Sequence, residues 1–92
     1  MYSLTTDIGK LIRIYYENIE LSGDDIREIY PGISRSSVDK LKKKAFNAMS
    51  EKKVLQWVPH KVNTECAYIA WGLDIADLER RYAKLQRLNR KE

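Results

Sequence analysis

Basic side chains are the residues whose type and spacing point most directly to a chemistry, because they are clustered along the chain. Residues 34 to 61 contain eight lysines and arginines against two acidic residues, and residues 79 to 92 contain six against two. The rest of the chain is net acidic, so the overall charge of +4 conceals two strongly basic segments. Clustered cations attract polyanions, above all the phosphates of a nucleic acid. The alternative interpretation is an ordinary charged helix surface that faces water.

Patterns for catalysis or metal binding are missing from the sequence. His60 and Cys66 are its only histidine and cysteine, which leaves no paired ligand spacing for zinc and no internal disulfide. There is no glycine-rich phosphate loop and no nucleophile elbow. Asp24, Asp25 and Glu28 fall near the start of a predicted helix, where negative charge is favourable without any chemistry. We therefore expect a protein that is not an enzyme and that uses no cofactor and no metal.

Length and composition favour a single helical domain over residues 1 to 92. Apolar residues make up 43% of the chain and charged residues 33%, which is a globular composition. No apolar run approaches the ~20 residues of a membrane helix, and residues 1 to 10 lack the order of a signal peptide. The expected fold is all-α, a compact bundle of four to five helices, and the expected location is the cytoplasm.

Capping residues and apolar spacing predict where the first three helices begin and end. The first helix is predicted to begin at Thr5 or Thr6 and to break at residues 18 to 21. A short second helix follows a capping box of Ser22 and Asp25 and stops at Pro31 and Gly32. Ser34 is predicted to cap a third helix that runs to about Ser50. The expected buried stripes are Ile8, Leu11, Ile12 and Tyr15 in the first helix, Ile26, Ile29 and Tyr30 in the second, and Val38, Leu41, Ala45 and Met49 in the third.

Residues 22 to 50 therefore have the order of a helix-turn-helix: a short capped helix, a glycine turn, a new cap and a longer helix with a polar outer face. That outer face is predicted to hold Ser36, Lys40, Lys43 and Asn47. The run Gly32-Ile33-Ser34-Arg35-Ser36-Ser37-Val38 resembles the turn and recognition-helix start of bacterial and phage repressors, excisionases and resolvase-type DNA-binding domains. Two features depart from the family. Arg27 or Glu28 stands where a small residue is usual, and Pro31 lengthens the turn by one residue.

The resemblance implies a DNA-binding function in transcriptional regulation or in a DNA transaction of a phage or mobile element. It implies that the start of the third helix reads base edges in the major groove of double-stranded DNA, through Arg35, Ser36, Ser37 and Lys40. Lys43, Lys44 and Asn47 would contact phosphates or flanking bases. The alternative is an ordinary helical hairpin with no DNA-binding role.

The last third of the chain is predicted to repeat this arrangement in degenerate form. After residues 52 to 62, which lack helical periodicity and fit a short extended piece or a rudimentary wing, a fourth helix is expected from Asn63 or Thr64 to Trp71. Aligning Gly32 with Gly72 pairs Ile29 with Ile69 and predicts turns of equal length, although two units do not exclude chance. The fourth helix is expected to bury Cys66, Ile69 and Ala70, and the fifth, capped by Asp74, to present Arg80, Arg81 and Lys84 to DNA.

The apolar stripe of the fifth helix has two interpretations. Ile75, Leu78, Tyr82 and Leu85 are spaced by three and four residues, as in a coiled-coil seam. The stripe either packs against the core of its own domain or joins two copies in a homodimer, which would suit paired DNA half-sites.

A protein-interaction role is the alternative to DNA binding. Aromatic side chains are numerous for this length, and such residues anchor interfaces. Among them are Tyr15, Tyr16, Tyr30, Trp57, Tyr68, Trp71 and Tyr82. A small helical adaptor or a virion-assembly component would expose them as a cluster. Buried aromatics beside an open basic helix would instead favour DNA binding.

Overall fold

The computed structural model describes residues 3–90, with the backbone alone for residues 89 and 90. Five helices and one two-stranded antiparallel sheet make up this part of the chain. The helices are α1 (Ile8–Glu17), α2 (Gly23–Ile29), α3 (Arg35–Lys52), α4 (Thr64–Ala70) and α5 (Ile75–Arg90), and the strands are β1 (Glu20–Leu21) and β2 (Val62–Asn63). The prediction of a mainly helical bundle is confirmed.

The first helix begins later than the sequence predicted. Asp7, rather than Thr5 or Thr6, is the N-cap, and its carboxylate accepts the Lys10 amide at 3.0 Å. Thr5 is used differently, because its own amide donates to the carbonyl of Ile29 at the end of α2. Leu11 and Ile14 are the buried residues of α1, whereas the predicted Ile8, Ile12 and Tyr15 are half-buried around them.

The second and third helices confirm their predicted caps and stripes. Ser22 and Asp25 form the reciprocal capping box of α2, and Gly32 takes the left-handed conformation with φ of 81°. Ser34 caps α3, which extends two residues past the predicted end at Ser50. The predicted core residues of both helices are buried: Ile26, Ile29, Tyr30, Val38, Leu41, Ala45 and Met49.

The strands connect two distant parts of the chain. Glu20 pairs with Asn63 and Leu21 with Val62, and both Leu21 and Val62 are fully buried. The hydroxyl of Thr64 reinforces the junction by donating to the Asn18 carbonyl at 2.6 Å. Of residues 52 to 62, which were predicted to contain an extended piece, only Val62 is in a strand. Its partner strand, β1, lies in the predicted break after α1.

The fourth helix buries a different face from the predicted one. Cys66 is buried, but Ile69 is 58% exposed and Ala70 is half-buried, while Thr64, Ala67 and Tyr68 occupy the core. Residues 64, 67 and 68 have the same three-and-four spacing as the predicted set, shifted along the helix, so periodicity alone could not choose between them. The Tyr68 hydroxyl, which donates to the Leu11 carbonyl at 2.7 Å, fixes the face that turns inward.

The predicted tandem repeat holds only locally. Asn63 caps α4 as Ser22 caps α2, and Gly72 takes φ of 78°, close to that of Gly32. The second turn is nevertheless one residue shorter, because α4 ends at Ala70 only two residues before its glycine. The long helices also pack differently: α3 lies on α4, whereas α5 lies on α1. Equal turns were therefore a wrong prediction, and the pairing of Ile29 with Ile69 joins a buried residue to an exposed one.

Candidate nucleic-acid interface

The outer face of α3 is open along its length. Ser36, Lys40, Lys43 and Asn47 are all exposed, on the side opposite the buried stripe of Val38, Leu41, Ala45 and Met49. In an α-helix each residue turns by about 100°, which places these two sets on opposite sides of the cylinder. A helix with one face in the core and a polar face bare to solvent has the layout required to enter a DNA groove.

The first turn of α3 is held together by the hydroxyl of Ser34. It accepts the Ser37 amide at 3.3 Å, donates to the Ser37 hydroxyl at 3.1 Å and lies 3.2 Å from the Ser36 hydroxyl. Ser37 is half-buried, whereas Arg35 and Ser36 are exposed. Among the predicted base-reading residues, Arg35 and Ser36 are therefore presented to solvent, and Ser37 is engaged in supporting the cap.

The basic side chains of α3 carry no ion pairs within residues 3–90. The salt bridges in this part of the chain join Lys10 to Glu28, and Arg80 and Arg81 to Asp77. The cations of α3 that face solvent are Arg35, Lys40, Lys43, Lys44 and Lys52. Because no carboxylate is paired with them, their charge is available to a polyanion at little cost.

One flank of α3 borders a shallow groove against α4. Lys44 and Asn47 line it with Ala48 and Glu51, and Ile69 forms part of the opposite wall. Lys44 thus lies at the edge of the open face. Its position around the helix places it nearer to α4 than Lys40 and Lys43. The predicted phosphate-contacting residues are brought together on one helix, but Lys44 is separated from the centre of its outer face.

Contacts with the ends of α2 and α4 hold α3 in place. The indole N–H of Trp71 donates to the Leu41 carbonyl at 2.9 Å, and the rings of Trp71 and Tyr30 meet edge to face with centroids 6.0 Å apart. Tyr30 and Trp71 are the C-caps of α2 and α4. The two short helices therefore support α3 through the residues at which they end.

The loop that follows α3 is anchored by Glu20, a residue that sequence reasoning did not single out. Its buried carboxylate accepts the amides of Trp57 at 2.7 Å and Val58 at 3.0 Å. The loop closes with Lys61 donating to the Val58 carbonyl around Pro59 and His60, whose φ is 69°, as in a type II turn. The sequence gives no local indication of this anchor, because Glu20 lies 37 residues from Trp57.

The second basic helix is less open than predicted. Asp77 accepts from both Arg80 and Arg81 at 2.8 Å, and these hydrogen bonds hold the pKa of Asp77 below its usual value. Lys84 is exposed and unpaired within the described residues. Ile75, Leu78 and Tyr82 face the core of their own chain, and only Leu85 of the predicted seam is exposed, at 43%.

Most of the aromatic side chains are inside. Tyr30 and Tyr68 are buried, Tyr15, Trp71 and Tyr82 are half-buried, and Tyr16 and Trp57 are exposed on separate elements. Burial raises the pKa of Tyr68, and a hydrogen bond to Glu79 raises that of Tyr16. The two exposed aromatic side chains, Tyr16 and Trp57, therefore belong to different parts of the chain.

Comparison with protein-family models, curated proteins and solved structures finds no match to this chain. Within residues 3–90 no group of three or more histidine, cysteine, aspartate or glutamate side chains is placed to hold a metal ion. In the same range no helix has both the length and the apolar character needed to cross a membrane.

Proposed function

We propose that this protein binds double-stranded DNA with sequence preference and that α3 is its reading helix. The observation that carries the proposal is the outer face of α3, which is exposed, basic and free of ion pairs within the described residues, on a helix whose other face is fixed in the core. A sequence pI of about 9.2 adds a favourable long-range attraction to DNA.

The proposed roles follow the position of each side chain along α3. Arg35 and Ser36 occupy the exposed first turn, which approaches base edges when a recognition helix enters the major groove. An arginine there can bind guanine through two parallel hydrogen bonds, which discriminates against other bases. Lys40 follows one turn later. Ser37 supports the cap, since its hydroxyl is bonded to Ser34.

The second half of α3 would strengthen DNA binding without distinguishing between base sequences. Lys43, Lys44 and Asn47 lie two or three turns beyond the cap, where the groove wall returns toward the helix, and would contact phosphates. Lys53 and Lys61 add positive charge in the loop that follows. In α5, Arg80 and Arg81 share one carboxylate, so we assign this helix a secondary contact with phosphates through Lys84.

Because the sequence shows no pattern for catalysis, we propose that the protein acts on DNA by occupying a site. We propose a role in transcriptional regulation or in a DNA transaction of a phage or mobile element, in which the bound protein blocks or organises other factors. The location that suits this role is the cytoplasm.

The second candidate function is protein–protein adaptation, and one observation favours it. Leu55, Trp57 and Val58 are exposed by 75%, 69% and 43% in the loop that Glu20 anchors. Exposed apolar side chains on a fixed loop are typical of a docking site. They lie outside α3, so the two functions predict different sensitive residues.

The test is fluorescence anisotropy with random-sequence duplexes over a series of salt concentrations. Binding should weaken steeply with salt, and replacing both Lys40 and Lys43 by alanine should lower the salt slope by about two. Arg13→Ala, which removes an exposed cation of α1, is the matched control and should leave the slope nearly unchanged. Equal effects of the two changes would reduce α3 to one part of a general positive charge. Absence of binding at low salt would overturn the DNA proposal and leave the adaptor function.

A further inference from the structure

The far end of α5 is a basic arm with exposed leucines. Leu85 is 43% exposed and Leu88 is 67% exposed. Residues 80 to 88, which we call the arm, contain four basic and no acidic residues. The start of α5 is fixed on α1, where the Tyr82 ring lies against Gly9, but the leucines extend past that contact. The arm therefore offers an apolar strip between positive charges.

An apolar groove with acidic edges lies elsewhere on the molecule. It has a volume of about 390 Å³ and is formed between α1, α4 and the turn before α5, with Tyr15, Glu65, Tyr68, Ile69, Leu73 and Asp74 among its lining residues. Ile69 is 58% exposed on its rim. Glu65 and Asp74 are exposed carboxylates. The pKa of Tyr15 is raised mainly by burial and further by the negative charges of Glu65 and Glu79. The groove is thus apolar within and negative at its edge.

The arm of the same chain cannot enter this groove. Ile75, the first residue of α5, lines the groove, and Leu85 lies ten residues further along the helix. At about 1.5 Å per residue this is a separation of about 15 Å directed away from the groove by a continuous helix. Only an arm from another molecule could fill it.

We propose that the arm of one copy docks in the groove of a second copy, with Leu85 and Leu88 against Ile69 and Leu73 and with Lys84 and Arg87 near Glu65 and Asp74. Opposite charge and shared apolar character favour this pairing. An arm-to-arm dimer would instead bring together Lys84 and Arg87 of both copies, four positive charges that no described carboxylate pairs, which is unfavourable at low salt. The contact joins two different surfaces, so it is heterologous and assembles either a ring or an open chain of molecules.

This proposal does not depend on DNA binding, because the contact uses α1, α4 and α5 and not the outer face of α3. It would take up Lys84, to which the proposed function gives only a secondary contact with phosphates. It also replaces the predicted seam of Ile75, Leu78, Tyr82 and Leu85. The first three of those residues pack within their own chain, and Leu85 alone of the four is left exposed for a partner.

Sedimentation velocity of the full chain, over rising protein concentration without DNA, tests the contact. At low salt the average mass should rise with concentration, and ~0.5 M salt should shift it toward the monomer because the screening length falls to a few ångströms. Leu88→Asp places a negative charge in the apolar strip of the arm, and Ile69→Lys places a positive charge on the rim of the groove. Because each change disrupts one side of the contact, each variant alone should stay monomeric. Ile19→Asp, at an isoleucine that is 66% exposed and belongs to neither surface, is the control and should associate like the unchanged protein.

Mixing the two variants gives the decisive result. Leu88→Asp keeps an intact groove and Ile69→Lys an intact arm, so the mixture should form a one-to-one complex that grows no further. Circular dichroism of each variant should match the unchanged protein, since both replaced side chains are exposed. A monomer at all concentrations in the unchanged protein would overturn the proposal. So would self-association of Ile69→Lys, which would indicate an arm-to-arm contact.

Discussion

The phenolic oxygen of Tyr68 lies 2.7 Å from the carbonyl oxygen of Leu11 and donates a hydrogen bond to it. The two residues are 57 positions apart in the sequence, and both are 1% exposed. The bond ties α4 to α1 through the interior, while Trp71 ties the end of the same helix to α3. A seven-residue helix too short to be stable alone is thereby held from both sides.

Replacing Tyr68 by phenylalanine should lower the free energy of unfolding by about 0.5 to 1.5 kcal/mol, the usual value of one internal hydrogen bond. The ring and its packing stay, so the helical content should not change. Chemical denaturation followed by circular dichroism measures the difference. A loss well above this range would mean that the ring itself moves.

The same variant should flatten the alkaline end of the stability profile. Burial raises the pKa of Tyr68 in the folded state. The stability that its protonated hydroxyl contributes is therefore fully present below the unfolded-state pKa of about 10. Above that pH the unfolded chain loses the proton and the folded chain does not, which lowers stability by up to about 1.4 kcal/mol per pH unit. Between pH 10 and 11.5 the phenylalanine variant should lose less stability than the unchanged protein. Parallel losses would show that Tyr68 is reached by solvent before unfolding.

Leu41→Ala tests the packing under α3. Leu41 is 4% exposed within the core cluster, and its carbonyl accepts the Trp71 indole. Removing three buried carbon atoms should cost roughly 2 to 5 kcal/mol, because lost burial and the remaining cavity add together. Urea denaturation measures the change, and Leu55→Ala in the exposed loop is the matched control, expected within about 0.5 kcal/mol of zero. Similar losses in both variants would contradict the described core.

The helices around the turn at Gly32 could be predicted from sequence because their determinants are local. Ser22 with Asp25, Gly32, and Ser34 with Val38 each act within a few residues. The elements that could not be predicted depend on distant partners. Two-residue strands have no detectable alternation, and Glu20 is an ordinary acidic residue until the amides of Trp57 and Val58 surround it. The seven residues of α4 contain two possible buried faces with the same helical spacing. The hydrogen bond from Tyr68 to α1 determines which face is buried.

Lys53→Gly should stabilise the protein. Lys53 ends α3 in the left-handed conformation, with φ of 56°, and the next amide, that of Val54, bonds back to the Met49 carbonyl. This is the hydrogen-bond pattern that glycine favours, whereas a residue with a Cβ is strained there by about 1 kcal/mol. We expect a gain of about 0.5 to 1 kcal/mol in chemical denaturation. Lys52→Gly, one residue earlier within the helix, should instead destabilise by a similar amount.

Glu20→Gln should loosen the loop after α3. One amide oxygen would remain to accept a backbone amide, but the NH2 group would face the other donor, so about 1 to 3 kcal/mol of stabilisation should be lost. Limited proteolysis should then cut residues 53 to 61 faster than in the unchanged protein. Glu17→Gln, at an exposed position of α1, should not alter the cleavage rate. Unchanged cleavage in Glu20→Gln would mean that the turn around Pro59 holds the loop without the carboxylate.

The last prediction separates two tasks along α3 and rests on the proposed DNA binding. Arg35 stands exposed in the first turn, and Lys43 stands two turns later on the outer face. If the first turn reads bases, Arg35→Ala should cost about 1 to 3 kcal/mol on a selected high-affinity duplex and little on random DNA. Lys43→Ala should weaken binding to both duplexes alike and lower the salt slope by about one. Lys44→Ala should do the same to a smaller extent, because this side chain lies at the groove against α4. Titrations of both duplexes at several salt concentrations provide the comparison, after selection of the high-affinity duplex from a random pool. Matching effects of Arg35→Ala and Lys43→Ala would mean that α3 binds DNA only as a positively charged rod, with no base reading at its start.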